Sequence, residues 1–329
     1  MTRLGVNAAL LAGGGLVLIL SGVLGSSELS LAQAFGALVG AGDETARIIV
    51  WEIRLPRALA ALGVGAALGA SGALMQGLLR NPLAEPGVLG VSASASLGAI
   101  IALYFGLGFL GAFTVPVLAV LGALAATGVL SFLAAARISA VQLILVGVGL
   151  SSFAGALGAL AINLAPNRFA LSDMVTWMLG SVTNRSLDDL VFVAPFWVAG
   201  VVLAVLTAPG LRALALGEET AQSLGVNLGR TRTGVIGAAA LLTGAAVAIS
   251  GVIGFVGIVA PHIVRPFVRH DPADLVWPSA LLGGGLISLA DLILRLAPLD
   301  QELRLGVMVS MIGAPIFILI AARSRGMGQ

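Results

Sequence analysis

Apolar runs of about twenty residues alternate with short polar breaks along almost the entire chain. Read by length and by their breaks, the runs cover about 5–25, 56–79, 87–106, 113–135, 141–162, 190–208, 233–253, 255–268, 275–295 and 304–322. The run at 255–268 is short and broken by glycine. A helix needs about 20 apolar residues to cross roughly 30 Å of hydrocarbon, so the pattern predicts about ten membrane-spanning helices. Short segments alternating with period two, as a lipid-facing barrel would show, are not seen. The interruptions carry the polar residues. The segment 26–55 has weak helical character and holds Asp43, Glu44, Arg47, Glu52 and Arg54. A second polar segment, Asn163 to Asp189, contains a short helix around Met174–Leu179, and a third runs from Gly210 to Arg232.

Composition strengthens this reading. Of 329 residues, 59% are hydrophobic and only 10% are charged, with a mean hydropathy of +1.09. Soluble domains carry about 25% charged residues; this chain has too few to cover a water-facing surface. Its 45 glycines suit helices that approach closely in lipid. The first run follows Arg3 and ends at Gly25-Ser26-Ser27, like a signal peptide, but its length makes it an uncleaved first span.

All 17 basic residues are arginine. Without lysine there is neither a P-loop nor a Schiff base; any ATP that drives the protein must bind to another subunit. Without cysteine there is no disulfide, thiolate nucleophile or thiolate metal site. A net charge of +2 gives no reason to expect nucleic acid. An even number of spans puts both termini on one side. With Arg3, Arg323 and Arg325 inside, that side also holds Arg80, Arg137, Arg212, Arg230, Arg232, Arg265 and Arg269. The opposite side holds Arg47, Arg54, Arg57, Arg168, Arg185, Arg295 and Arg304, so the bias has the sign of cytoplasmic loops.

Residues 54–99 are the most informative stretch. Arg54-Leu55-Pro56-Arg57 opens a glycine-rich helix with Gly65, Ser71-Gly72 and Met75-Gln76, and Asn81-Pro82-Leu83-Ala84-Glu85-Pro86 then breaks it before Leu89-Gly90. With Trp177-Met178-Leu179-Gly180-Ser181, Gly254-Phe255-Val256-Gly257, Pro261-His262, Ala290-Asp291, Arg295 and Gly313-Ala314-Pro315, the ordered set resembles the FecCD-type permeases. These are the membrane subunits of ABC importers for ferric siderophores, haem and cobalamin. The resemblance covers nearly the whole chain, with Asn81, Pro82, Glu85 and Pro86 as its signature, and it is specific for family but not for cargo.

The resemblance implies an all-α polytopic permease of the type II importer class, one domain over 1–329, with two copies around a central path. Two ATPase subunits would hold ATP and magnesium, and a periplasmic or lipid-anchored substrate-binding protein would deliver cargo. The chain itself would be a non-enzymatic subunit without cofactor in the bacterial inner membrane, both termini cytoplasmic. Glu219-Thr220-Ala221 followed by Gly225 looks like the family's ATPase-coupling loop. Within it, Gly217 and Gly225 bracket a possible two-turn helix on which Leu216, Thr220, Ala221 and Leu224 share a face, leaving Glu218, Glu219 and Gln222 more exposed. By the same resemblance, Arg54, Arg57 and Arg295 pair with carboxylates of the binding protein, and the fifth and tenth helices line the path. The loop with Ser139, Ala140 and Val141 then closes it inside. Ala140 and Val141 make that gate more apolar than in relatives, and Arg304 departs from a common proline at the outer mouth.

Other residues add less. Asp291 and Arg295 are four apart on one helix and can neutralise each other. His262 and His270 lack neighbours with metal-ligand spacing. Gly65, Ala66, Ala67, Ser71, Gly72 and Pro82 align at an offset of 179 with Gly244, Ala245, Ala246, Ser250, Gly251 and Pro261. That offset suggests an inverted repeat of two five-helix halves, about 1–165 and 190–322, as transporters often have. An ion-coupled carrier would need more mid-bilayer charge than Asp291 supplies, and no catalytic set for an intramembrane enzyme is readable.

Overall fold

The computed structural model describes residues 3–25, 29–41, 43–136, 139–268, 271–297 and 303–324. Ten apolar helices form its body: α1 (Arg3–Val23), α2 (Leu55–Leu79), α3 (Val91–Tyr104), α4 (Thr114–Ala135), α5 (Ala140–Asn163), α6 (Leu187–Ala215), α7 (Leu228–Ser250), α8 (Val256–Val264), α9 (Pro272–Leu296) and α10 (Leu305–Ser324). Seven are long and apolar enough to cross a membrane; α3, α8 and α10 are shorter apolar helices. Among the described residues there is no strand.

Several boundaries differ from the sequence reading. The second span is continuous helix from Glu44 to Leu79, 36 residues, and does not start at Pro56. Asp43 caps it by accepting from the Ala46 N–H at 3.0 Å. A π-helical stretch, Ile49–Arg54, then widens the turn just ahead of Pro56. Proline lacks an N–H and its ring crowds the carbonyl four residues back; the wider turn makes room for it. α6 is longer than expected at both ends. Ser186 and Asp189 form a capping box at its start, and the helix runs on through Pro195 and Pro209 to Ala215. α7 stops at Gly251, where φ is +66°. The expected short helix near 174 is longer, Arg168–Met178, and is capped by Asn167.

α2 and α7 form the core, each with 78% of its apolar window buried. Thr243 on α7 hydrogen-bonds Ser71 on α2 at 2.9 Å. α2 packs on α9 as α7 packs on α4, and α2 packs on α8 as α7 packs on α3. Gly65 abuts Gly283 of α9, and its counterpart Gly244 abuts Ala123 of α4. This exchange of neighbours is what two five-helix halves predict, and an offset of five spans reverses the sense of each helix. The correspondence ends at the prolines, because Pro82 lies in a loop and Pro261 inside α8.

Small residues bring these helices into backbone contact. A carbon added at Gly65 would fall on the Gly283 carbonyl, and one at Gly283 on the Gly65 carbonyl. Neither side can yield without moving a helix. Gly65→Leu is expected to cost at least the upper part of the about 1–3 kcal/mol typical of overpacking. A lowered thermal unfolding midpoint in detergent checks this; an unchanged midpoint would refute the contact.

The two shortest helices hold corresponding places in the halves. α3 has 14 residues and follows the 3-10 turn Pro86–Leu89; α8 has 9 and precedes the 3-10 turn Arg265–Phe267. Gly257, in the first turn of α8, lies against Gly72, seven residues from the end of α2 at Leu79. At 1.5 Å per residue that is roughly 10 Å inside the span, so α8 begins within the bundle and not at its rim.

Candidate functional site

The segment after α6 folds as its glycines dictate. Gly217 and Gly225 have φ of +110° and +81°, and between them Glu218–Ser223 forms a short helix. Such a helix is marginal alone. Two contacts fix it here: Ala221 is fully buried, and Glu218 pairs with the buried Arg232 of α7 at 2.7 Å. The face differs from the sequence reading. Of the apolar set only Ala221 points inward; Leu216 and Leu224 are 66% and 64% exposed, and Thr220 is exposed as well. Glu218 is held by Arg232 while Glu219 and Gln222 stand in the open. The result is a braced projection whose two leucines point away from the body.

A second cluster joins α1, α2 and α9. The Arg57 guanidinium donates to both Asp291 oxygens at 2.9, 3.1 and 2.8 Å. Arg295 lies 3.2 Å from the same carboxylate and donates to the Ser21 carbonyl at 3.1 Å. Arg54 donates to the Gly22 and Val23 carbonyls at the end of α1. The expected i,i+4 pair is therefore present, with Arg57 as a third member that spacing cannot reveal. Arg54, Arg57 and Arg295, expected from the resemblance to pair with carboxylates of a binding protein, make these contacts within the chain. Arg54 and Arg295 are buried and Arg57 nearly so, because Asp291 and the α1 carbonyls satisfy donors that burial would otherwise strand.

The signature loop is a structural turn that penetrates the bundle. Arg80 ends α2 in the left-handed region at φ +48°. The Asn81 side chain accepts from the Leu83 N–H at 2.9 Å, Pro82 follows, and Glu85 hydrogen-bonds the Phe255 backbone ahead of α8. Pro86 opens the 3-10 turn before α3. Gln76 donates to the Gly257 carbonyl at 3.2 Å and accepts from Arg265. At the expected gate, Ser139 caps α5 through a capping box with Gln142, and Val141 is 66% exposed. Ala140 begins α5, its side chain outside the described residues, as are Arg137 and His270.

On the opposite face a cavity of about 320 Å³ opens between the Arg168–Met178 helix, the end of α7 and the start of α10. Asp173, Trp177, Asn184, Arg185 and Arg304 line it. Arg185 sits 3.6 Å from Asp189, and its Nε is buried without a hydrogen bond. His262 is partly buried in α8, and no group of three potential metal ligands exists among the described residues.

Residues 14–323 match the model of the FecCD transport family. The chain belongs to that family. This FecCD permease is 43% identical over 302 residues to the ABC transporter permease protein YvrB of Bacillus subtilis, covering 90% of this chain and 85% of YvrB. It is 43% identical to the vitamin B12 import system permease protein BtuC of Vibrio cholerae (84% and 83% covered) and 39% identical to BtuC of Yersinia enterocolitica (85% and 84%). A solved structure described as an inward-facing metal-chelate type ABC transporter superposes with a TM-score of 0.84 at 30% identity, covering 98% and 99%. The fold is that of a type II importer permease, and the protein is a multi-pass membrane subunit of an ABC importer of the FecCD/BtuC class.

In the FecCD permease the contacts that sequence missed are long-range. Arg232 meets Glu218 across 14 positions, Arg57 meets Asp291 across 234, and Arg212 meets Asp271 and Asp274 across 59 and 62. Local spacing carries no trace of such pairs. The only usable signal is that a charge in an apolar segment requires a partner.

Proposed function

We propose that two copies of this chain form the path of an ATP-driven importer in the bacterial inner membrane, with both termini cytoplasmic. Two ATPase subunits, carrying ATP and magnesium, dock below, and a substrate-binding protein delivers cargo above. Nucleotide state shifts the balance of outward and inward forms. The observation that carries this reading is the projection at 216–225: two exposed leucines on a braced turn offer an apolar anchor of the kind that dominates protein interfaces.

For cargo, we propose an iron complex bearing negative groups, a ferric siderophore or haem. Arg304 and Arg185 at the outer cavity support it, since guanidinium groups bind oxyanions through paired donors. Cobalamin is the alternative, favoured by the BtuC relatives. Reconstitution with the ATPase and binding protein tests both. ATP hydrolysis should rise with the ferric complex and respond less to cobalamin, and Arg304→Glu should weaken the response by about tenfold, the loss expected for a charge-assisted contact of roughly 1.5 kcal/mol. Stimulation by cobalamin alone, unaffected by Arg304→Glu, would reverse the cargo assignment. Uptake driven by an ion gradient without ATP would overturn the importer reading itself.

A further inference from the structure

A cavity of about 250 Å³ lies where α2 and α6 end and α9 begins. Its polar wall is Gln76, Arg80 and Asn81 from α2 and the turn after it, Arg265 from the 3-10 turn after α8, and Asp271 ahead of α9. Every side-chain oxygen in this wall already accepts a hydrogen bond. One Asp271 oxygen accepts from Arg212 at 2.7 Å and the other from the Ala273 N–H at 2.9 Å. The Asn81 oxygen accepts from the Leu83 N–H at 2.9 Å, and the Gln76 oxygen accepts from Arg265.

Donors, by contrast, are in surplus. Arg265 gives Gln76 one of the five N–H groups of a guanidinium. Arg80 is exposed at the end of α2, and the Asn81 amide brings two further N–H groups. Among the described residues neither Arg80 nor Arg265 forms an ion pair, whereas Asp271 pairs with Arg212. Helix ends carry about half a charge each, negative where α2 and α6 stop and positive where α9 starts. Two whole guanidinium charges outweigh them. A positive cavity with donors to spare and its acceptors taken matches an oxyanion.

We propose that this cavity binds a phosphate group, carried by an anionic phospholipid or free in solution. Arg80 and Arg265 take its oxygens through paired N–H donors, as guanidinium groups bind phosphate, and the Asn81 amide adds another. The place suits a headgroup. Leu79 closes the apolar stretch of α2 immediately before Arg80, so the cavity lies where hydrocarbon gives way to headgroups, and basic pockets between membrane helices hold anionic lipids. The assignment uses only this chain and is independent of cargo and ATPase.

The full chain, in neutral detergent and without ATPase, is titrated with phosphatidylglycerol, with phosphatidylcholine, and with sodium phosphate against sodium chloride of equal ionic strength. The thermal unfolding midpoint is followed, since a ligand of the folded state raises it. Phosphatidylglycerol should raise the midpoint saturably and phosphatidylcholine should not. A rise with sodium phosphate as well makes the free ion a second source; a rise with the lipid alone assigns the site to the membrane. Arg80→Gln alters an exposed side chain and should keep the fold. It should raise the half-saturating concentration about tenfold, the loss expected for one charge-assisted contact. Arg265→Gln should do the same, and if it does not fold, Arg80→Gln decides. Arg230→Gln, at an exposed arginine outside the cavity, should leave the titration unchanged. The proposal is overturned by an equal rise with phosphatidylcholine or by equal weakening in Arg230→Gln. It is overturned too if no phosphate compound moves the midpoint, the result expected were the cavity to receive a carboxylate of another subunit.

Discussion

Replacing Leu216 and Leu224 together with glutamate is expected to abolish capture of the ATPase subunits while the chain stays folded. Both side chains are mostly exposed, so the substitutions remove little from the interior; exposed changes usually move stability by no more than about 0.5 kcal/mol. At an interface the same leucines would enter a desolvated pocket. Losing anchors of about 2 kcal/mol or more weakens association by roughly 30-fold or more. Co-purification with the ATPase and cargo-dependent hydrolysis measure the effect. A companion change, Gly225→Ala, puts a side chain where φ is +81°, strains the end of the same short helix and should weaken coupling without removing an apolar contact. Normal assembly and transport in the leucine double variant would falsify the coupling role.

The second large effect is expected at Asp291. Its carboxylate, 2% exposed, serves Arg57 and Arg295, whose side chains are 11% and 6% exposed. Asp291→Asn keeps the shape and removes the charge that the two sequestered cations share. Breaking a buried ion pair by removing one partner typically costs about 3–5 kcal/mol. The folded yield in mild detergent should drop steeply, and the unfolding midpoint with it. The triple change Arg57→Met, Asp291→Leu, Arg295→Met should recover much of the loss, because apolar replacements of a buried ion cluster are often neutral. A midpoint unmoved by Asp291→Asn would show that the cluster bears no weight in the fold.

These two sites show what the linear chain discloses. All ten helices could be placed from apolar runs and their breaks, because bilayer thickness sets the length of each run and glycine and proline mark the ends. Gly217 and Gly225 likewise announced the short helix at 218–223, since both positions take a positive φ that side chains disfavour. The direction of side chains was not legible. Arg57 looks outward by position at a helix end, yet turns to a carboxylate 234 residues away. Leu216 and Leu224 look inward by hydrophobicity, yet point out. Pattern arguments assign a residue to a face; which face meets protein, lipid or water depends on neighbours brought together only by folding. The continuous helix through Pro56 was hidden for a related reason: a wide π-turn leaves no compositional mark.

The contact of Gly72 with Gly257 has a mechanical consequence. With backbone resting on backbone there is no side chain to change rotamer and absorb a displacement, so α2 and α8 can slide past one another only by parting. Any displacement between α2 and α8 therefore moves whole helices, backbone with backbone.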